Sequence, residues 1–308
     1  MALDVSALSD FNNEVAGELI VKSVYGGSTM EYITVKEGVK YQEPINLMEV
    51  DLQLQGGTCV STPSGSLTFT QRDITVCPRT SFDGICLKDM DKKYLGIADL
   101  EPGSYNETFA LVSNYSELLV NNFQKKNDQF LWQGDQAGCD AAYGLETIIS
   151  GSTAGVVVPV GSGSLAITTT NALDVMDDMI ANLSTDVADR PDLTFFMGVD
   201  DFRKYIVALR TANNFYFDPA SIENRGGLLE MMYPFNPNIK VVGTVGLNGS
   251  SRVVLGPAKQ IVAGTDLMSD FSEFQLWYDI NSDQLKHRIS TKLGVNIAYP
   301  EFWVSNDQ

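Results

Sequence analysis

Apolar and polar positions alternate most cleanly from Met48 to Gln55. Met48, Val50, Leu52 and Leu54 share one side, and Glu49, Asp51, Gln53 and Gln55 share the other. This is the two-residue period of a β-strand. Gly56-Gly57 and Pro63-Ser64-Gly65 punctuate a turn region, and the Thr-rich stretch Ser66–Val76 resumes the strand pattern. Its apolar parity changes between Phe69 and Ile74, which predicts a bulge or an altered face. Residues 30–76 therefore read as a long, flat β-hairpin. Isolated hairpins are marginal in water and their open edges invite pairing, so this one must lie on its own body or on a neighbour.

The helical period appears elsewhere. Val5, Leu8, Phe11, Val15 and Leu19 recur at three- and four-residue steps, predicting an amphipathic helix over 5–24 that Gly26-Gly27 ends. A longer helix is predicted over 104–133. Ser104 and Glu107 fit a capping box, and Phe109, Val112, Tyr115, Leu119, Phe123 and Phe130 line one side. Such a rod would be about 45 Å long. Residues 151–170 are Gly/Ser/Thr-rich around one strand, Val156–Val160. Helix 171–183, strand 193–197 and helix 200–212 follow, the last with Phe202, Ile206 and Leu209 inside. Residues 213–238 read as irregular, and short strands are expected at 239–245, 252–255 and 260–263. The chain closes on a hairpin. Phe274, Leu276, Tyr278 and Ile280 alternate in one arm. In the other, Leu285, His287, Ile289, Leu293 and Val295 face one way and Lys286, Arg288 and Lys292 the other. The fold class is α+β.

Composition narrows the function. The chain has 308 residues, enough for one large or two ordinary domains. Lys and Arg number 21 against 39 Asp and Glu, a net charge of −18. Neutralising phosphates in a groove needs basic side chains, so tight nucleic-acid binding is not expected, whereas an acidic wall enclosing DNA would let it slide. Charged residues make up 19%, below the roughly 25% of average proteins, as an interface core would be. No run of about 18 apolar residues occurs, so no membrane span is expected. The first residues lack the pattern of a signal peptide. Cys59, Cys77, Cys86 and Cys139 are scattered without a C-x-x-C pair, and their spacing calls for neither zinc nor a disulfide.

Catalytic chemistry finds little support. His287 is the sole histidine and sits among apolar strand positions, the setting of a core histidine. Gly161, Gly163 and Ala166 match a loose G-x-G-x-x-A pattern, but Thr168-Thr-Thr170 stands where a helix and a later acid would be needed. Asp177-Asp178, Asp200-Asp201 and Glu49/Asp51 could pair as carboxylates, though neighbouring acids are usually solvated faces. Phe215, Tyr216, Phe217, Tyr233 and Phe235 could line a pocket or plug an interface. Neither cofactor nor metal site is expected.

Ile33-Thr-Val-Lys-Glu-Gly-Val-Lys-Tyr-Gln-Glu-Pro-Ile-Asn-Leu47, Gln71-Arg-Asp-Ile-Thr-Val76, Trp277-Tyr-Asp-Ile280 and Arg288-Ile-Ser-Thr-Lys-Leu-Gly-Val-Asn-Ile-Ala-Tyr-Pro-Glu301 resemble major capsid proteins of tailed bacteriophages, notably crAss-like and related phages of Bacteroidetes. The order of elements resembles the Hong Kong 97 capsid fold. The resemblance implies an N-arm (1–28), an extended E-loop hairpin (29–80), a P-domain (81–135 and 266–308) with a spine helix (about 104–133), and an A-domain (136–265). It implies hexamers and pentamers of one chain closing an icosahedral shell around double-stranded DNA in the virion, assembled in the host cytoplasm. Portal, scaffolding or cement proteins would be further partners. In that fold the E-loop lies over a neighbour, so Glu49 and Asp51 are expected to meet Lys286, Arg288 and Lys292 of another copy. Two other readings are an encapsulin-type compartment around protein cargo and a small-molecule enzyme using the α+β block near Gly161–Ser164.

Overall fold

A computed structural model of the chain describes residues 29–54, 56, 64–86, 119, 122–123, 125–134, 144–151, 156–157, 166–212, 223–225, 228–234, 236–266, 275–279, 281–282 and 284–306. The expected helix over 5–24, most of the one over 104–133 and the Gly161–Ser164 stretch lie outside them. Within that expected helix, residues 125–133 are helical, here α1.

Among the described residues, two sheets of seven and five strands organise the body, and a third has two strands. The larger has seven strands in the order β5 (Val156–Val157), β14 (Val304–Ser305), β10 (Val254–Pro257), β6 (Leu193–Gly198), β9 (Asn236–Thr244), β8 (Leu228–Tyr233) and β7 (Glu223–Arg225). Every residue of β6 is buried, as a central strand covered on both faces requires. On one side Phe195, Met197, Met231, Tyr233 and Val241 pack under α3 (Ala172–Ala181) and α4 (Val199–Ala212). Phe202, Tyr205, Ala208 and Leu209 form the buried stripe of α4, at helical spacing. On the other side Phe196, Val242 and Val254 meet Leu131 and Trp132 of α1, Leu145 and Ile149 of α2 (Leu145–Gly151), and the second sheet.

The second sheet is built on β13 (Gln284–Ile297). β4 (Cys77–Cys86) pairs along one edge of β13. β12 (Gln275–Asp279) and then β11 (Ile261–Gly264) pair along the other, and β1 (Thr34–Lys36) adds to β11 in parallel. Leu293, Val295 and Ile297 on β13, with Ile261 and Ala263, join the core around Trp132 and Trp303.

The segment 213–238, expected to be irregular, carries strands β7, β8 and the start of β9. Leu228-Leu229-Glu230-Met231-Met232-Tyr233 is apolar on both parities, which hides the two-residue period. Gly226-Gly227 and Pro234 stand at the junctions between strands, where they resembled loop signals. Tyr233 is a core residue whose hydroxyl donates to Asp177 on α3. Phe215, Tyr216, Phe217 and Phe235 lie outside the described residues. Cys77 is disulfide-bonded, to a cysteine whose side chain is not among those described; spacing alone gave no sign of it.

Candidate functional site

β2 (Gln42–Asp51) and β3 (Ser66–Thr75) form a two-stranded antiparallel sheet of their own, in unbroken register from Gln42 opposite Thr75 to Asp51 opposite Ser66. No bulge interrupts it. Ten residues per strand give the hairpin a reach of about 34 Å.

Its root is fastened to the second sheet. Gly264 and Gly294 are cross-strand partners on β11 and β13. A Cβ on Gly294 would stand 2.0 Å from the Thr75 carbonyl oxygen, and one on Gly264 would press on Ile74 and Val76 at 2.9 and 3.0 Å. The glycine pair thus forms a slot through which the root passes. Ile74, Val76 and Val39 close over it as a small buried cluster. Asn296 Nδ2 donates to the Asp73 carbonyl oxygen at 2.7 Å, and Val76 N–H to that of Tyr41 at 2.7 Å.

The parity change is a change of face. Opposed residues of an antiparallel pair share a face. Near the root, Ile45, Leu47 and Ile74 fall on one face, with Leu47 and Ile74 buried. Toward the tip that same face carries Glu49, Asp51, Ser66 and Thr68, all exposed. The opposite face is polar at the root, with Gln42, Asn46, Gln71 and Asp73. At the tip it carries the opposed pairs Met48–Phe69 and Val50–Leu67. These four are 54–68% exposed, and Leu52 and Leu54 beyond them are 77% and 93% exposed. The hairpin leans on its own body with one face and offers an apolar patch with the other. Contiguous apolar patches of this kind mark interaction sites.

The closing hairpin divides as its alternation predicts. His287, Ile289, Leu293 and Val295 are buried, and Lys286, Arg288 and Lys292 share the other face. Lys286 Nζ pairs with Asp279 and Lys292 Nζ with Asp266, both within the chain. Arg288 is exposed and has no carboxylate partner among the described residues. Beside it, Phe82 of β4 is directly opposite Arg288 and 60% exposed, its ring centroid 6.0 Å from that of Trp277 on β12. None of Glu49 and Asp51 is brought to Lys286, Arg288 or Lys292 within one copy; the carboxylates stand at the tip of a hairpin that departs from the far end of β13.

A buried polar knot ties these parts together. Asp128 on α1 accepts from the Thr29 and Thr244 hydroxyls and from the Gly246 N–H at 2.7 Å. Trp132 Nε1 donates to Thr29 at 3.1 Å. The start of the hairpin segment, α1 and the end of β9 thereby share one carboxylate. Its partners lie far apart in sequence, and no local pattern announces them.

Among the described residues no group of three His, Cys, Asp or Glu is placed to hold a metal ion, and none of the described helices is long and apolar enough to cross a membrane. His287 is buried. Burial pulls its pKa below the ordinary 6.5, with the Asp83 charge pulling the other way.

No protein-family model and no curated protein matches the chain. Solved structures do. The capsid of an empty GTA particle matches at a TM-score of 0.57 and 12% identity, over 91% of this chain and 89% of that one. The capsid of Myoviridae phage XM1 matches at 0.53 and 13%, over 92% and 90%. A virus-like particle from Pyrococcus furiosus matches at 0.51 and 11%, over 95% and 97%. At these identities the likeness is one of architecture, and it extends over nearly the whole chain: the polypeptide has the Hong Kong 97-type fold of phage capsid shells.

Proposed function

We propose that this chain is the structural subunit of an icosahedral phage shell, a major capsid protein without catalytic activity. The observation that carries it is the hairpin: a fold shared with capsids, bearing an apolar tip that its own body leaves exposed. In the terms of that fold, residues 29–80 act as the E-loop, 81–135 with 266–308 as the P-domain, 136–265 as the A-domain and 1–28 as the N-arm. Hexamers and pentamers close around double-stranded DNA without reading its sequence, consistent with the net charge of −18. Assembly takes place in the host cytoplasm, with a portal and, where required, scaffolding or cement proteins.

Magnitudes decide what holds copies together. Burying one large apolar side chain contributes about 1.5–3 kcal/mol. Four that are still more than half exposed offer roughly 4–7 kcal/mol before association costs. An exposed ion pair contributes about 0–1 kcal/mol. The tip's carboxylates, Glu49 and Asp51, therefore act by steering and register against the basic face of a neighbour. Arg288 is the cation best placed for this, since Lys286 and Lys292 have partners in their own chain. Reversing Glu49 and Asp51 to Lys should slow assembly, and reversing Arg288 and Lys292 to Glu should partly restore it. Unchanged assembly kinetics in the first variant would refute the steering role.

The encapsulin-type reading keeps the fold and changes the cargo. The Pyrococcus furiosus particle matches less well than the phage-type capsids above, and no observation favours that reading over a phage shell.

A further inference from the structure

We infer that Cys77 is joined to Cys139, and that this disulfide is a redox-operated lock on the root of the hairpin.

Reach identifies the partner. Cys77 is disulfide-bonded, and the chain's other cysteines are Cys59, Cys86 and Cys139. A disulfide needs its two Cα atoms within about 7 Å. Cys86 ends the strand that Cys77 begins, opposite Gln284 where Cys77 is opposite Leu293, so it stands about 30 Å away. Cys59 falls in the stretch beyond the Asp51–Ser66 pair at the tip. The run from β3 into β4 is extended, since Asp73 meets Asn296 and Cys77 meets Leu293 along β13. Cys77 is therefore about 35 Å from Ser66, and the chain from Ser66 back to Cys59 spans at most about 25 Å. That leaves Cys139. It lies outside the described residues, but the residues that bound its loop are described and meet: a Cβ on Gly144 would stand 2.3 Å from the Gly134 nitrogen. Gly134 follows α1, whose Phe130, Leu131 and Trp132 share a core with Cys77. Arg79, on the same strand as Cys77, lays its guanidinium 3.4 Å from the centre of the Phe130 ring. The chain from Gly134 to Cys139 spans up to about 17 Å, enough to cross from the end of α1 to the start of β4.

The bond sits where the hairpin is held. Cys77 is buried, and Val76 before it belongs to the cluster that closes over the root. Its cross-strand partner Leu293 adjoins Gly294, one wall of the slot. A bond from Cys77 to the loop after α1 pins the root to the body. It also closes a long loop in the unfolded chain, and such cross-links stabilise most.

Thiols stay reduced in a cytosol. The timing alone rests on the shell reading: both cysteines carry thiols during assembly, and the lock closes outside the host cell. The oxidant is a small disulfide such as oxidised glutathione. One protein thiolate displaces one glutathione and forms a mixed disulfide, and the second thiolate then displaces the other. Two protein S–H bonds are lost, two glutathione thiols form, and the S–S bond passes from the small molecule to the protein.

The test compares the full wild-type chain oxidised with oxidised glutathione and reduced with dithiothreitol. Digestion of the oxidised form without reductant, read by mass spectrometry, should give a linked pair of peptides holding Cys77 and Cys139. Cys77 linked to Cys59, to Cys86 or, in a mixture with isotopically labelled chain, to another copy overturns the assignment. Reduction should lower the thermal midpoint by roughly 5–10 °C and speed hydrogen exchange at Ile74 and Val76 several-fold. Cys139→Ala should match reduced wild type and lose its response to dithiothreitol. Equal exchange at Ile74 and Val76 in the two redox forms overturns the lock even where the bond is found. Iodoacetamide added to producing cells before lysis should label both cysteines, and a bond already closed there overturns the timing. The bond and the lock are read on the lone chain, so absence of any particle would overturn the shell reading and the timing while leaving both standing.

Discussion

His287 shows how one side chain links burial to behaviour. Its folded-state pKa is depressed by burial below the ordinary 6.5, so the unfolded chain binds the proton more readily. Stability then rises with pH through this range and is lost as pH falls below about 6.5. Denaturant titrations at pH 7.5 and pH 5.5 should show the wild-type chain weaker at the lower pH, and His287→Gln should shrink that difference. An equal loss in both chains would assign the effect to other groups. Asp128 is a buried carboxylate with both oxygens engaged in hydrogen bonds. Asp128→Ala would remove the shared acceptor and leave the Thr29 and Thr244 hydroxyls and the Gly246 N–H only their longer contacts of 3.2 Å with one another, at about 1–3 kcal/mol for each buried group left unsatisfied. A thermal melt of Asp128→Ala within a degree of wild type would contradict this. At the tip, Phe69→Ser removes apolar surface that is already in water, so it should leave the unfolding free energy of the lone chain within about 0.5 kcal/mol while impairing assembly.

At the scale of elements, the aim of the hairpin is set by the slot beneath its root. Gly294→Ala would put a methyl group 2.0 Å from the Thr75 carbonyl oxygen, and backbone cannot yield as a flexible side chain would. A cost of about 1–3 kcal/mol is expected, together with a displaced hairpin. Hydrogen exchange should show faster exchange at Ile74 and Val76 than in wild type; unchanged protection there would mean the slot does not hold the root. The strands of this hairpin were legible because their alternation is unbroken from Met48 to Asp51. The parity change near Ile74 was legible too, but its meaning was not. It records which face meets the body, and that depends on glycines more than 180 residues away. β8 escaped notice for a related reason. Met231 and Tyr233 are buried and Met232 on the other face is apolar though exposed, so the sequence has no clean polar side to set the period, and Glu230 survives inside it by pairing with Lys240 and accepting from the Tyr32 hydroxyl.

At the scale of the whole molecule, the body is closed and the hairpin is not. Two cores hold the sheets together around Phe195 and Trp132 respectively, whereas the tip's apolar face has no partner among the described residues of its own chain. The proposed shell would resolve this by repetition: each contact is modest, and closure multiplies it. The order of elements carried the fold from sequence, because arm, hairpin, helix, α+β block and closing hairpin follow one another in a recognisable series. Charge alone marks Glu49, Asp51, Lys286, Arg288 and Lys292 as candidates for a contact between copies, but the in-chain partners of Lys286 and Lys292 depend on how the strands are placed, which charge patterns do not encode. The most direct test is electron microscopy of the purified full-length chain at rising concentration and neutral pH. Closed particles with five-fold vertices are the predicted result, and a single population of lone, well-folded subunits at every concentration would contradict it.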